Sequence, residues 1–203
     1  MPDQFTILTV CTGNICRSPL AQLLLAQAFA GFPVVRVASM GTRAIVGAGM
    51  PPHSLAIAHR YGVQSPEDHV STQMTAGELQ TGDLILAMSR EHARLVAEMN
   101  PRISTKIFTV REFARLADAT TDTDLMMEFK AVRPDSAVTK LRTGVTCVGL
   151  GRGTTQSPAD PALDDVVDPY GHGQGVYERS ANELIPAVNS TVSILHRALS
   201  LES

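Results

Sequence analysis

Tryptophan is absent from this 203-residue chain and aromatics make up 4% of it, so no indole surface is available to stack a ligand. Cysteine is scarce. Three residues, an odd number, argue against a disulfide framework and for a reducing compartment. Neither charge dominates: 17 Lys and Arg against 20 Asp and Glu give a formal −3. That balance gives no reason to expect nucleic acid or an anionic membrane as partner, and any positive potential must be local. No apolar run approaches the ~18 residues of a membrane span, and no basic segment followed by an apolar stretch opens the chain. We therefore expect a cytoplasmic location. No cluster of His, Cys and carboxylates has metal-ligand spacing, so neither metal nor other cofactor is expected.

Against this background one segment stands out. Residues 11–18 read Cys-Thr-Gly-Asn-Ile-Cys-Arg-Ser, with a cysteine and an arginine six positions apart around a Gly-Asn turn. Backbone N–H groups from Thr12 through Gly13, Asn14, Ile15 and Cys16 to Arg17 can curl into a nest for a phosphate-sized dianion. The Arg17 guanidinium adds a planar two-pronged grip. Cys11 then lies at the floor of a positive bowl, which favours the attacking thiolate. Gly13 and Asn14 are the residue types that most easily adopt positive φ in such a loop. Ser18 suits a helix N-cap and Pro19 the first helical position, and the helix formers of 20–29 follow. Before the loop, 5–10 is a β-rich run of the length a buried strand needs. The motif is therefore a strand–loop–helix junction with the positive helix end pointing into the loop.

Strand patterns at 5–10, 34–38, 84–88 and 107–110 alternate with helical patterns at 19–30, 53–61, 75–80, 90–99 and 111–117. The alternation predicts an α/β fold, three layers deep, with a mostly parallel and roughly four-stranded central sheet. In such folds the site lies at the carboxyl ends of the strands, where Cys11 and Ser39 fall. Residues 175–201 read as a helix with a kink or break at Pro186. Short helices are expected over 122–133 and 134–142. The stretch 144–165, rich in Gly, Thr, Ser, Pro and Asp, reads as a mobile linker. One domain spanning 1–203 is expected, with an insertion at about 118–164.

The run from Val10 to Pro19 resembles the signature of the low-molecular-weight protein tyrosine phosphatases, and Asp168-Pro169-Tyr170 matches that family's late Asp-Pro-Tyr triplet. Ser39-Met40-Gly41-Thr42 and residues 83–88 are weaker matches. The resemblance covers about 4–117 and 165–200. It implies hydrolysis of phosphotyrosine or another aryl phosphate through a phosphocysteine, with Cys11 as nucleophile, Arg17 as phosphate clamp and Asp168 as general acid and base. Asp168 must hold a proton when substrate arrives, which Pro169, Val167 and the nearby carboxylates Asp164 and Asp165 would favour. Ser18 can give its hydroxyl to the Cys11 sulfur. Asn14 pins the loop, with Ser39 and His69 as the matching bracing residues. Cys16 reads either as a redox partner of Cys11 or as a small residue packing the loop.

The chain also departs from the family pattern. Where the specificity loop usually carries an aromatic residue, it has Arg43-Ala44-Ile45-Val46, and Gly171 replaces a second tyrosine. Tyr170 is left as the aromatic wall, with Arg43 a candidate contact for acidic peptides. The expected partner is a phosphotyrosine protein or a small aryl phosphate; the oligomeric state is open. Two other readings stand beside this one. An arsenate reductase would need relay cysteines, yet none lies between Arg17 and Thr146, and Cys147 has no neighbour. A non-catalytic phosphate-binding module would keep the loop without turnover.

Overall fold

Four strands and eight α-helices alternate along the computed structural model, which describes residues 4–201. Strand β1 (Phe5–Cys11) is buried at every position, as its apolar and β-branched residues favour. It leads through the Cys11–Arg17 loop into α1 (Arg17–Ala28). There follow β2 (Val35–Gly41), α2 (Pro52–Arg60), α3 (Ala76–Gln80), β3 (Leu84–Ala87), α4 (Arg90–Met99), β4 (Ile107–Thr109) and α5 (Val110–Ala119). The chain then forms α6 (Asp122–Val132), α7 (Ala137–Leu150) and the long α8 (Gln174–Ser200).

The sheet order is β2-β1-β3-β4 and every pairing is parallel, as the alternation predicts. Cys11 pairs with Gly41 and Val10 with Ala87, so three strands end together beneath the loop. Side chains alternate across the sheet and build two cores. Phe5, Ile7, Leu84, Leu86 and Phe108 face α1, α5, α7 and α8. Leu8, Val10, Ile85 and Ile107 face Leu79 of α3 and Val96 of α4. These are the three expected layers.

Two sequence expectations fail here. Residues 144–150 are not linker but the second half of α7, whose Val138, Leu141, Val145, Cys147 and Val148 are buried in the main core. The glycine that suggested flexibility serves close packing instead: a Cβ on Gly144 would lie 2.9 Å from the Ala198 Cβ of α8. Ser136 and Thr139 close a reciprocal capping box that starts the helix. Of the kink or break expected at Pro186, the break does not occur: α8 runs through it. The proline forfeits one helix hydrogen bond but sits on the exposed side, while Leu184, Ile185, Ala187 and Val188 on either side are buried. Tertiary packing outweighs the local preference.

Candidate active site

The loop after β1 is held by a hydrogen-bond network centred on Asn14. Asn14 is wholly buried and adopts φ +55°, a left-handed conformation that an asparagine tolerates. Gly13 does not share that conformation, contrary to expectation. The Asn14 amide donates to Ser18 Oγ at 2.9 Å and to Ser39 Oγ at 2.8 Å, and its Oδ1 accepts the Thr72 N–H at 2.8 Å. Its carbonyl oxygen lies 2.7 Å from His69 Nε2. The predicted braces Ser39 and His69 therefore both reach it. His69 is buried, and that burial lowers its pKa despite the Asn14 carbonyl. Ser71 Oγ donates to the Gly13 carbonyl, and Ser39 Oγ to Gln22 Oε1; sequence reasoning missed Ser71, Thr72 and Gln22.

Ser18 occupies the second position of α1, not its N-cap, which is Cys16 with no side-chain cap bond. Its hydroxyl turns to Cys11, with Oγ 3.0 Å from Sγ. Because Ser18 Oγ already accepts from Asn14, its own proton is free to go to the sulfur. The adjoining strand must approach closely. A Cβ on Gly41 would lie 2.5 Å from the Thr12 carbonyl oxygen, so only glycine fits.

Arg17 is 6% exposed. Its Nη1 donates to the Val166 carbonyl at 3.0 Å, its Nη2 pairs with Asp168 Oδ2 at 2.6 Å, and its buried Nε has no partner among the described residues. Asp168, half exposed, also accepts the Tyr170 N–H at 3.2 Å. The segment carrying it is tied down from below: Val166 N–H bonds the Met88 carbonyl, Val167 N–H bonds Glu183, and Asp165 takes Arg90 in a forked ion pair. Asp164 pairs with Arg115. These two carboxylates are thus engaged by arginines, unlike the arrangement expected from their proximity in sequence. Burial alone would raise the Asp165 pKa, yet the Arg90 hydrogen bonds bring it below the ordinary value.

A cavity of about 130 Å³ opens over the loop. It is lined by residues 11–13 and 15–17 of the loop together with Arg43, Ile45, Asp168 and Tyr170. Among the described residues Tyr170 is the one aromatic that lines it, together with the aliphatic Ile15 and Ile45. Cys16 is buried and its thiol lies 3.9 Å from the Tyr177 hydroxyl; burial pushes its pKa up to about 11. One further residue went unassigned in the sequence: His92, buried on α4, places Nε2 2.8 Å from Thr12 Oγ1. The signal was available, since Ser89-x-x-His92 opens the helix that follows β3 at the same sheet edge as Cys11.

A parallel sheet flanked by helices, with Cys11 and Arg17 at the two ends of the loop after its first strand, places the chain among the α/β phosphatases. More particularly, the chain belongs to the low molecular weight phosphotyrosine protein phosphatase family, whose model matches residues 6–126. It is similar to a probable low molecular weight protein-tyrosine-phosphatase, AmsI of Erwinia amylovora, with 42% identity over 101 residues. That match spans 50% of this chain and 67% of the relative. The crystal structure of the Erwinia amylovora tyrosine phosphatase amsI superposes with a TM-score of 0.62 at 26% identity, covering 93% of this chain and 91% of that one. The YwlE arginine phosphatase of Geobacillus stearothermophilus shares the fold, with a TM-score of 0.65, 24% identity and coverage of 95% and 93%. The family match ends before Asp168, which the fold rather than the sequence match brings to the cavity.

Proposed function

We propose that this chain hydrolyses phosphotyrosine, in a protein or as a small aryl phosphate, through a phosphocysteine intermediate. Cys11 attacks phosphorus in line with the ester oxygen, and the P–O bond breaks as the S–P bond forms. Arg17 and the amides of Thr12 to Arg17 hold the three equatorial oxygens, whose shared charge grows in the transition state. Asp168 protonates the leaving phenolate and then takes a proton from the water that cleaves the S–P bond. The Ser18 hydroxyl donates a hydrogen bond to the Cys11 thiolate, steadying the charge on sulfur before attack and again as sulfur leaves phosphorus. Residues 1–203 act as one phosphatase domain in a cytoplasmic setting, with 118–164 an addition to the family pattern.

The observation that carries this reading is the convergence on one small cavity of a serine-bonded cysteine and an arginine–aspartate pair. The names of the tyrosine phosphatases to which the chain is similar favour an aryl ester over other phosphates. Nothing comparable favours arsenate reduction. Cys147 is buried on α7 in the main core, and burial pushes its thiol up to about 11. The test is phosphate release from matched phosphotyrosine, phosphoserine and phosphoarginine peptides, with Cys11→Ser as blank. Phosphotyrosine turnover that vanishes in the variant, while the variant still binds phosphate, is the expected result. Equal release from all three peptides, or turnover that survives the substitution, would overturn it.

A further inference from the structure

His92 is 4% exposed and belongs to no part of the mechanism above. It sits between two hydroxyls. Its Nδ1 is 2.8 Å from Ser89 Oγ and its Nε2 is 2.8 Å from Thr12 Oγ1. Thr12 lines the cavity beside Cys11. We propose that Ser89, His92 and Thr12 form a directed hydrogen-bond relay in which His92 is a positioning residue, turning the Thr12 hydroxyl proton into the bowl as an extra donor to the bound oxyanion.

The direction follows from counting protons. Ser89 is the N-cap of α4 and its Oγ accepts the backbone N–H of His92 at 3.3 Å. The Ser89 hydroxyl proton then has the Nδ1 lone pair as its near acceptor, so Nδ1 accepts and Nε2 carries the ring proton. Nε2–H donates to Thr12 Oγ1, and the threonine proton is left to point elsewhere, toward the cavity it lines. The scheme needs a neutral ring, because an imidazolium would donate from both nitrogens. Burial, and then the positive charge of Arg17, bring the His92 pKa down to about 4 against the smaller opposing influence of Asp168 and Asp165. A neutral histidine also adds no charge next to Arg17. Thr12 is therefore more than a spacer in the loop: it adds a hydroxyl to a ring of backbone donors.

The inference rests on the phosphate-loop reading, and the experiment separates the two. Inhibition of p-nitrophenyl phosphate hydrolysis by orthovanadate is measured, together with kcat and KM, for the wild type, Thr12→Val, Thr12→Ser, His92→Phe and the Thr12→Val/His92→Phe double variant. One hydrogen bond to a charged acceptor corresponds to a loss of roughly ten- to 150-fold, so Thr12→Val should weaken vanadate by that factor and raise KM more than it lowers kcat. Thr12→Ser should restore affinity. His92→Phe should match Thr12→Val, and the double variant should be no worse than either single one. A ¹⁵N spectrum of the wild-type ring should show the Nε2–H tautomer. Wild-type vanadate affinity in Thr12→Val, multiplying losses in the double variant, or an Nδ1–H ring would each overturn the relay while leaving the phosphatase reading intact. If His92→Phe does not fold, the threonine pair and the ring spectrum decide. Absence of vanadate binding by the wild type would overturn both.

Discussion

Arg17 Nη2 and Asp168 Oδ2 lie 2.6 Å apart, so the guanidinium that would clamp a phosphoryl group holds the carboxyl that would protonate its leaving group. The two roles are coupled. A phosphoryl dianion reaching Arg17 competes with Asp168 for the same cation, and a carboxyl freed from the guanidinium beside a dianion can carry the proton that the leaving oxygen needs. Asp168→Asn keeps the shape and removes the donor. Its effect should depend on the ester: p-nitrophenyl phosphate, whose leaving group needs little help, is slowed modestly, whereas phenyl phosphate loses about 10²- to 10⁴-fold in kcat. Equal losses for both esters would contradict the assignment.

Arg17→Lys should impair binding and turnover together. A lysine supplies a point charge but neither the planar fork nor the simultaneous contacts to Val166 and Asp168. We expect kcat/KM to fall at least about 100-fold and vanadate inhibition to weaken in parallel. Near-normal rates would show that the fork is not used.

Asn14→Ala removes the three hydrogen bonds that the Asn14 side chain makes and asks an alanine to hold φ +55°. Buried donors and acceptors on Ser39, Ser18 and Thr72 lose their partner. The summed cost should be on the order of 2–4 kcal/mol, measurable as a shift in the urea midpoint at unchanged m-value. A shift below about 0.5 kcal/mol would mean that the loop is held mainly by its backbone.

Acid should weaken the fold before its carboxylates titrate. Burial lowers the pKa of both His69 and His92, the latter to about 4, from an ordinary 6.5. Their neutral forms contribute stability that is complete above pH 6.5 and is lost as pH falls, because the unfolded chain takes up the protons first. The depressed carboxylates Glu67 and Glu178 start from 4.5 and Asp165 from 3.8, so the interval between pH 6.5 and 4.5 reports the histidines. Unfolding free energy should drop by on the order of 2–3 kcal/mol across it, and His92→Gln should flatten the slope. A pH-independent midpoint over that interval would refute the buried neutral histidines.

Gly144→Val should destabilise by roughly 1–3 kcal/mol, because the new Cβ meets Ala198 with no flexible atom to yield. Reversal by Ala198→Gly would trace the loss to that contact.

Most of the geometry of the candidate site was legible because it is local. Cys11, Asn14, Arg17 and Ser18 lie within eight residues, and their strand and helix neighbours set the loop by short-range rules. Asp168, more than 150 residues away, was legible only through a triplet, and its pairing with Arg17 required the fold. His92 was missed because its partner Thr12 is 80 positions distant, so the Ser89-x-x-His92 helix start shows where the ring sits but not what it meets. The misreading of residues 144–150 has a different origin. Glycine signals a flexible turn to local rules, but at Gly144 its value is the missing side chain, which lets α7 meet α8.

That contact has a practical consequence for anyone shortening the chain. Cutting out α6 and α7 to reach the dimensions of a leaner homologue would strip the cover from Phe108 and from the inner side of α8. The trimmed protein would then clump through its own newly wetted interior, however intact its phosphate loop, so catalytic competence and solubility cannot be separated by a simple deletion.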